Sequence, residues 1–393
     1  PSKVHGNVKI PASKSMAHRA LICASLSDGT SIVSNVTNSK DIEATVGCMK
    51  ALGAIIKQID ETTYEVTGTN LFKQEGNITC NANESGSTLR FLIPLAACTN
   101  AKVKFLGQGR LLQRPMDVYE NEFKKQNIEF NQSDKEIIVS GNLQAKDYVV
   151  QGDISSQFIT GFMFVLPLLD QDSTLTITEP YESKSYVNLT IQMLAKFGIE
   201  IIETSSNSYL IKGNQHYKAQ DVSVEGDFSQ LAFFAVLGTL NNTLSCSNMD
   251  MSSKQGDKAI LDILKQFGAH VEVEEDRVTV SHGKLKGCVI DAAQIPDLVP
   301  ILCMAAAAAE GKTEIRNAGR LRIKESDRLT AMADCLKRLG VPVEEKQDGL
   351  VIHGGKLTEQ QKEIRIDAYG DHRIVMSAAV GAALLGREAV IEG

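Results

Sequence analysis

IQMLAKFGIEIIETSSNSYLIKG, residues 191–213, carries the pattern that decides the fold. Its first part has apolar residues at helical spacing and ends at Gly198, a residue suited to the left-handed conformation that terminates helices. Two stretches of alternating apolar and polar residues follow, separated by the turn-forming SSN. The segment therefore predicts an amphipathic helix followed by a β-hairpin with one solvated face.

The same pattern recurs along the chain, which indicates an internal repeat. Further copies occupy residues 48–68, 120–141, 261–283 and 335–355. The residues that end the predicted helices are spaced by 74, 71, 70 and 72 residues, and they are Gly53, Asn127, Gly198, Gly268 and Gly340. A repeat of this length has room for several strands and a second helix.

A second kind of helix lies between these copies and is apolar on nearly every face, which predicts burial. Six such stretches begin near Ser15, Gly86, Ser156, Phe228, Asp297 and His372. Each unit then consists of a strand, a buried helix, a strand, an exposed helix and a hairpin. Six units predict a mixed α/β protein with two domains of three units each.

Composition excludes several classes of protein. The chain has 393 residues, enough for two domains with hydrophobic cores. A net charge of −7 without a basic tract argues against general nucleic-acid binding. The eight cysteines form no CxxC pair, which fits a reducing compartment, and the longest nearly apolar run, Val299–Ala309, is too short for a membrane span. We expect a cytoplasmic protein.

Cations mark the predicted start of the first buried helix, in PASKSMAHRALI (residues 11–22). Lys14 and Arg19 have no carboxylate beside them in sequence, although the helix dipole favours negative charge at this end. Small or polar residues also begin the other buried helices, and ordinary N-capping explains each one taken singly. As a set, parallel helix N-termini on one domain face would attract multiply charged anions. Both interpretations remain open at this point.

Short motifs beside those helix starts supply residues with chemistry. They are KSMAHR (Lys14, Ser15, Arg19), QRPM (Arg114), SSQFITG (Ser155, Ser156, Gln157), SKSY (Ser183, Tyr186), RIKESDR (Lys324, Glu325, Arg328) and DHR (His372, Arg373). Each has a structural alternative: KESDR could be a solvated helix start, Arg114 a loop anchor, and His372 a satisfied histidine.

Asp297 is the most suggestive single residue, because it follows Pro296 at the start of a very apolar helix. Burial there is expected to raise its pKa toward the general-base range. No P-loop, HExxH or GxSxG motif occurs, and GQGRLLQ lacks the third glycine of a dinucleotide fingerprint. The chemistry is therefore expected to need neither a metal nor a nucleotide cofactor.

Eight motifs, in order, resemble those of the EPSP synthase family (5-enolpyruvylshikimate-3-phosphate synthases) across the whole chain: PASKSMAHRA, NESGSTLRF, LLQRPM, GDISSQF, ESKSY, IPD, RIKESDR and YGDHR. The resemblance implies an α/β fold of two lobes, an inside-out barrel with three βαβαββ units per lobe. It places residues 13–225 in one lobe and residues 1–12 plus 226–393 in the other. It also implies transfer of the enolpyruvyl group of phosphoenolpyruvate to the 5-hydroxyl of shikimate 3-phosphate.

In this family phosphate leaves from a tetrahedral intermediate, the reaction serves aromatic amino acid biosynthesis, and glyphosate inhibits it. The resemblance implies that shikimate 3-phosphate contacts Lys14, Ser15, Arg19, Ser155, Ser156, Gln157, Ser183, Asp297 and Lys324. It implies that phosphoenolpyruvate contacts Lys14, Gly86, Arg114, Gln157, Arg328 and Arg373.

Catalytic roles follow from the same resemblance. Asp297 is expected to act as the base near the attacking hydroxyl, Glu325 as the acid–base group at the methylene carbon, and Lys14 between the substrates. His372 and Tyr186 are expected to support the site. The only partners implied are the two small-molecule substrates, without cofactor, metal, nucleic acid or membrane, and the chain is expected to be a monomer.

There are two alternatives, a sister enzyme and a protein of another class. UDP-N-acetylglucosamine enolpyruvyl transferase shares the six-unit architecture but is expected to have Asn after the first lysine and a reactive cysteine in the arginine-containing loop. Here Ser15 follows Lys14, and residues 107–116, GQGRLLQRPM, contain no cysteine. A non-catalytic anion-binding repeat protein is the other alternative, but it would need neither Asp297 nor Glu325.

Overall fold

The computed structural model describes residues 4–239, 243–355, 357 and 363–393. Contacts divide the chain into two compact units, Ala12–Glu225 and the combination of Pro1–Pro11 with Gly226–Gly393. Each unit has its own buried apolar core. Leu240, the last residue of the fourth apolar stretch, lies outside the described residues.

Two kinds of α-helix alternate along the described residues. Most residues of α1, α3, α5, α7 and α9 are buried, whereas α2, α4, α6, α8 and α10 are amphipathic. The helices are α1 (Lys14–Ser25), α2 (Lys40–Ala51), α3 (Gly86–Ala96), α4 (Asp117–Lys125), α5 (Gln157–Val165), α6 (Lys184–Lys196), α7 (Phe228–Leu237), α8 (Ile260–Phe267), α9 (Val299–Ala308), α10 (Arg328–Arg338) and α11 (His372–Leu385).

The helix ends confirm the predicted repeat. All five residues expected to end the amphipathic helices have positive φ, from 56° at Asn127 to 106° at Gly268. The sixth apolar helix differs from its prediction, because α11 buries only one face and leaves Val375 exposed. It packs on α7, α9 and α10. The sheet of the repeat that contains α11 has two strands, whereas the sheets of the other five repeats have four.

The strands are short and follow the helices in a regular order. They are β1 (His5–Lys9), β2 (Ser27–Asp28), β3 (Thr30–Ser34), β4 (Ile55–Asp60), β5 (Thr63–Thr67), β6 (Glu75–Asn81), β7 (Asn100–Leu106), β8 (Glu129–Gln132), β9 (Ile137–Ser140), β10 (Asp147–Gln151), β11 (Ser173–Thr178), β12 (Ile202–Ser205), β13 (Ser208–Ile211), β14 (Tyr217–Lys218), β15 (Val222–Ser223), β16 (Thr243–Ser247), β17 (His270–Val273), β18 (Arg277–Ser281), β19 (Val289–Asp291), β20 (Gly311–Arg316), β21 (Val343–Glu345), β22 (Leu350–Gly354), β23 (Ile364–Asp367) and β24 (Ala389–Glu392).

Five four-stranded sheets share one topology, in which a parallel pair is extended by an antiparallel hairpin. Their strand orders are β15-β3-β5-β4, β6-β7-β9-β8, β10-β11-β13-β12, β1-β16-β18-β17 and β19-β20-β22-β21. Two-stranded sheets, β14-β2 and β23-β24, complete the described set, and none of these sheets closes into a barrel. The mixed α/β repeat is therefore present as predicted, built from open sheets around buried helices.

Two strands show why the chain divides where it does. β15 returns from the end of Ala12–Glu225 and pairs in parallel with β3, with Val222 opposite Val33. β1, from the start of the chain, pairs in parallel with β16, with His5 opposite Thr243. Each of these sheets is thus completed by a strand from a distant part of the sequence.

Among the described residues, no helix combines the length and the apolar character needed to cross a membrane. All eight cysteines are described, and each is a free thiol.

Candidate active site

Lys14 is the first residue of α1, because Ser13 caps this helix by accepting a hydrogen bond from the Met16 amide at 3.3 Å. Its side chain is 55% exposed, and Nζ lies 2.6 Å from Oδ2 of Asp41 in the first turn of α2. The lysine at this helix start therefore has a carboxylate partner in space. Sequence reasoning missed Asp41 because it lies 27 residues further along the chain.

Arg19 is 2% exposed and is held by neutral groups alone. Nε donates to Thr190 Oγ1 at 2.8 Å, Nη1 to the Ser15 carbonyl at 2.9 Å, and Nη2 to the Tyr186 carbonyl at 3.2 Å. No carboxylate in the described part of the chain forms an ion pair with this guanidinium, and burial lowers its pKa to about 10. The structure thus brings Ser15, Arg19 and Tyr186 together around a buried, uncompensated positive charge.

Gly86 begins α3, which Ser85 caps by accepting a hydrogen bond from the Thr88 amide at 3.1 Å. The exposed side chain of Arg114 reaches this helix start, since a Cβ atom on Gly86 would lie 2.7 Å from Arg114 Nη1. A side chain at this position would displace the Arg114 guanidinium. Gly86 and Arg114, two of the four residues of this unit predicted to contact phosphoenolpyruvate, are therefore direct neighbours.

Gln157, the first residue of α5, uses both ends of its amide within the protein. Oε1 accepts from Arg90 Nη1 at 3.0 Å, and Nε2 donates to Ser87 Oγ at 2.9 Å. Because a guanidinium can only donate, the contact with Arg90 assigns the orientation of the amide. Arg90 was not among the predicted residues, although SGSTLR places it one helical turn beyond Gly86.

Arg90 adds a second guanidinium near Arg114. Burial and the positive charge of Arg114 lower the pKa of Arg90, and Arg90 Nε is buried without a hydrogen-bond partner among the described residues. Its guanidinium also lies over the ring of Phe158, at 5.0 Å from the centroid. Two like charges thus stand near the start of α3.

The predicted serines lie at the starts of α5 and α6, two helices in contact with each other. Ser155 Oγ accepts from the Gln157 amide at 3.3 Å, and Ser156, the N-cap residue of α5, is buried. Ser183 precedes α6 in the left-handed conformation with φ of 56°. Tyr186 lies in the first turn of α6, where its carbonyl holds Arg19.

The second group of predicted residues lies in Gly226–Gly393 and centres on Arg328, which is 1% exposed. Its guanidinium donates to three carboxylates: Nε to Asp371 Oδ2 at 2.8 Å, Nη1 to Asp297 Oδ1 at 3.1 Å, and Nη2 to Glu325 Oε2 at 2.7 Å. The alternative of a solvated helix start is therefore wrong for Arg328. Glu325, by contrast, keeps 56% of its side chain exposed.

Asp297 lies in a 3-10 turn, Pro296–Leu298, immediately before α9. Burial acts to raise its pKa, but Arg373, Lys324 and Arg328 together hold that pKa below the usual value. Lys324 Nζ lies 3.6 Å from Oδ1, and Arg373 Nη2 lies 3.8 Å from Oδ2. The prediction of a raised pKa is wrong because it considered burial without these cations.

Asp371 is fully buried and positions two of the predicted residues at once. It caps α11 by accepting from the Arg373 amide at 3.0 Å, and it also holds Arg328. Arg373 Nη1 donates to the Asp297 carbonyl at 3.4 Å, and Nη2 to Ser229 Oγ at 3.4 Å. His372 is 59% exposed, and partial burial together with Arg373 lowers its pKa.

Asp257 is a further carboxylate beside this group that no motif indicated. Burial and the neighbouring Asp297 raise its pKa to about 7, against the opposing effect of Arg373. The segment that carries it is fixed by Gln255, which accepts from the Phe228 amide and donates to the Gly226 carbonyl, each at 2.9 Å.

Known proteins resemble this chain along its whole length. A family model described as EPSP synthase (3-phosphoshikimate 1-carboxyvinyltransferase) matches residues 1–393. The chain belongs to the EPSP synthase family. A 3-phosphoshikimate 1-carboxyvinyltransferase from Clostridium kluyveri is 47% identical over 395 residues, covering 100% of this chain and 92% of the relative. The enzyme of that name from Clostridioides difficile is 43% identical over 395 residues, covering 97% of this chain and 89% of the relative.

A solved EPSP synthase from Acinetobacter baumannii superposes with a TM-score of 0.83, covering 100% of this chain and 90% of that chain. Its sequence identity of 23% supports the fold alone. The resemblance stated from the eight motifs is thus confirmed at the level of family and of mixed α/β fold.

Proposed function

We propose that this chain is a 3-phosphoshikimate 1-carboxyvinyltransferase, which transfers the enolpyruvyl group of phosphoenolpyruvate to the 5-hydroxyl of shikimate 3-phosphate. The relatives that carry this name match the chain almost end to end. The observation that carries the proposal is Arg19. A guanidinium that is buried and has no carboxylate partner in the described chain needs an anion from outside, because burying an unpaired charge is costly.

For shikimate 3-phosphate, the proposed contact of the carboxylate is Arg19, whose remaining N–H groups suit a planar anion. Ser155, Ser156 and Ser183 offer hydroxyl groups at the starts of α5 and α6, where the helix dipoles favour a phosphate. Lys324 is proposed to add a cation for the same phosphate, and Ser15 and Gln157 to add polar contacts.

For phosphoenolpyruvate, the proposed contacts are Lys14, Gly86, Arg114, Gln157, Arg328 and Arg373. The absence of a side chain on Gly86 lets an anion approach the amides at the start of α3 while Arg114 remains beside it. Arg114 is exposed and has no ion pair among the described residues, so its guanidinium is available for a bidentate contact.

The proposed chemistry is addition followed by elimination. The 5-hydroxyl oxygen bonds to C2 of phosphoenolpyruvate while C3 gains a proton from Glu325, and Asp297 takes the proton from the hydroxyl. The C2–O bond to phosphate then breaks, and C3 returns a proton to Glu325. Asp297 is ionised at neutral pH because its pKa is lowered, so it is ready to accept that proton. Lys14 would stabilise charge between the two substrates.

We place the protein in the cytoplasm, as supported by its eight free thiols, seven of which are buried.

The experiment that tests the proposal is release of inorganic phosphate on mixing the purified chain with both substrates. UDP-N-acetylglucosamine replaces shikimate 3-phosphate as the control acceptor, and each substrate alone is the blank. We expect phosphate and the enolpyruvyl product, identified by mass spectrometry, with shikimate 3-phosphate only. Phosphate release with the nucleotide sugar would contradict the proposal. A failure to release phosphate with either acceptor would contradict it as well.

A further inference from the structure

A chain of buried hydrogen bonds joins three helices of Ala12–Glu225. His18 Nδ1 on α1 lies 2.7 Å from Thr45 Oγ1 on α2, and that oxygen lies 2.8 Å from Thr88 Oγ1 on α3. Thr88 Oγ1 lies in turn 2.7 Å from Ser85 Oγ. All four residues are at most 1% exposed. We refer to these four residues, His18, Thr45, Thr88 and Ser85, as the histidine–hydroxyl chain.

The direction of these hydrogen bonds can be assigned from the acceptors at the far end. Thr88 Oγ1 also lies 3.3 Å from the Asp41 carbonyl, which can only accept, so the single hydroxyl proton of Thr88 points to the side of Ser85 and Asp41 and away from Thr45. Thr45 then donates to Thr88, and His18 Nδ1 must carry the proton that it donates to Thr45. The opposite direction would leave a buried Nε2–H donor without an acceptor, since His18 Nε2 has no partner in the structure.

His18 is held neutral by its surroundings. Burial and the positive charges of Lys14 and Arg19 lower its pKa to about 3, against the opposing effect of Asp41. The side of the ring that lacks a hydrogen bond is enclosed by protein, and Phe91 contacts the ring edge-on at 6.3 Å between centroids. The imidazole is thus a fixed donor rather than a group that exchanges protons at neutral pH.

The histidine–hydroxyl chain ends at residues that carry predicted substrate contacts. Asp41, whose carbonyl accepts from Thr88, binds Lys14 through its carboxylate at 2.6 Å. Ser85 caps the helix that Gly86 begins. Arg19, by contrast, donates hydrogen bonds to Ser15, Tyr186 and Thr190, none of which belongs to the histidine–hydroxyl chain.

We propose that His18 is a positioning residue for phosphoenolpyruvate: through Thr45 and Thr88 it fixes Lys14 and the start of α3 at one spacing. This inference rests on the proposed function and deepens it. Lys14 is proposed to contact both substrates, but Arg19 is anchored separately. Loss of the histidine–hydroxyl chain should therefore affect use of phosphoenolpyruvate much more than binding of shikimate 3-phosphate.

The first test uses the unmodified protein and does not depend on activity. In the nitrogen NMR spectrum of ¹⁵N-histidine-labelled protein, His18 should show a neutral ring protonated at Nδ1, with no titration between about pH 5.5 and 8. The signal is assigned by its loss in His18→Gln. A ring protonated at Nε2, or one that titrates in this range, would overturn the proposal.

The second test compares Thr45→Val, which removes the hydroxyl and keeps the shape, with Thr45→Ser, which keeps the hydroxyl. We expect Thr45→Val to raise the KM for phosphoenolpyruvate roughly tenfold and to leave the KM for shikimate 3-phosphate within about twofold. In Thr45→Ser, the KM for phosphoenolpyruvate should stay close to the wild-type value. The matched control is Thr313→Val, at a buried threonine whose hydroxyl has no hydrogen-bond partner in the structure, and it should change neither constant.

The outcomes are separable. Equal increases in both KM values, or a lower melting temperature with an unchanged KM for phosphoenolpyruvate, would show a purely structural role and overturn the proposal. If the wild-type protein transfers no enolpyruvyl group, the proposed function fails, while the NMR result still decides the state of His18.

Discussion

Arg328 and Asp371 form an ion pair of 2.8 Å between Nε and Oδ2, with side-chain exposures of 1% and 0%. Asp371 also accepts from Ser326 Oγ at 3.0 Å and caps α11, so one carboxylate fixes a guanidinium and a helix start. A buried pair of this kind contributes to stability mainly because each charge compensates the other. Removal of one partner leaves the other charge buried and unpaired, which is strongly destabilising.

We expect Asp371→Ala to destabilise the protein by about 3–5 kcal/mol, because Arg328 would keep its charge and lose its most buried partner. Denaturant unfolding followed by circular dichroism measures the change. Glu392→Gln, which breaks the solvent-exposed pair between Arg365 and Glu392, is the control and should give no measurable change. Similar unfolding midpoints for the two variants would contradict the assigned role.

Gly86→Ala should weaken use of phosphoenolpyruvate with little effect on stability. The new Cβ would lie 2.7 Å from Arg114 Nη1, so the guanidinium must move, and a flexible exposed side chain can do so cheaply. We expect the KM for phosphoenolpyruvate to rise roughly tenfold, with that for shikimate 3-phosphate unchanged. Gly47→Ala, in α2, is the control because none of the described residues lies within 4 Å of the added Cβ. An equal rise in both KM values would refute the assignment.

Arg19→Met should lower affinity for shikimate 3-phosphate roughly 100-fold, because the substrate carboxylate would lose its buried cationic partner. The fold should survive, since no carboxylate in the described chain depends on Arg19 for compensation. Isothermal titration calorimetry with shikimate 3-phosphate measures the loss. Retained affinity in a folded variant would remove the observation on which the proposed function depends.

Asp257→Asn should stabilise the protein in a pH-dependent way. The pKa of Asp257 is raised from 3.8 to about 7, so between these values the folded state holds a proton that the unfolded state has released. The free energy of unfolding therefore falls as pH rises through this window. The destabilisation by ionised Asp257 reaches its full size above about pH 7. Asparagine removes this cost.

The measurement is the melting temperature of Asp257→Asn and wild type between pH 4.5 and 8. The variant should be a few degrees more stable at pH 8 and nearly equal to wild type at pH 4.5. Asp262→Asn, at an exposed position of α8, is the control for loss of a surface charge. A difference that does not depend on pH would show that Asp257 does not titrate in this range.

The repeat could be predicted from sequence because its signals are local. A helix period that gives way to alternation at a glycine or asparagine is visible within a window of about 20 residues, and all five such residues adopt positive φ. The extent of burial of α11 was missed because it depends on how many strands cover the helix, which its own apolar composition does not report.

The charged residues show the limit of sequence reasoning. The motifs located Lys14, Arg328 and Asp297, but most of their partners come from distant segments. Asp41 lies 27 residues from Lys14, and Arg373 lies 76 residues from Asp297. The sign of the shift in the pKa of Asp297 depends on that remote cation and could not follow from neighbouring residues. Asp257 belongs to no recognised motif. Its proximity to Asp297 and Arg373 can be recognised only in the three-dimensional structure.

The pairing of β1 with β16 has a consequence for synthesis on the ribosome. His5 meets Thr243, so β1 must wait for more than two hundred residues before its partner strand is synthesised. Ala12–Glu225 is continuous and can complete its own sheets in that interval, since β15 has already returned to β3. During translation, β1 therefore lacks its β16 partner while the nested segment acquires its structure.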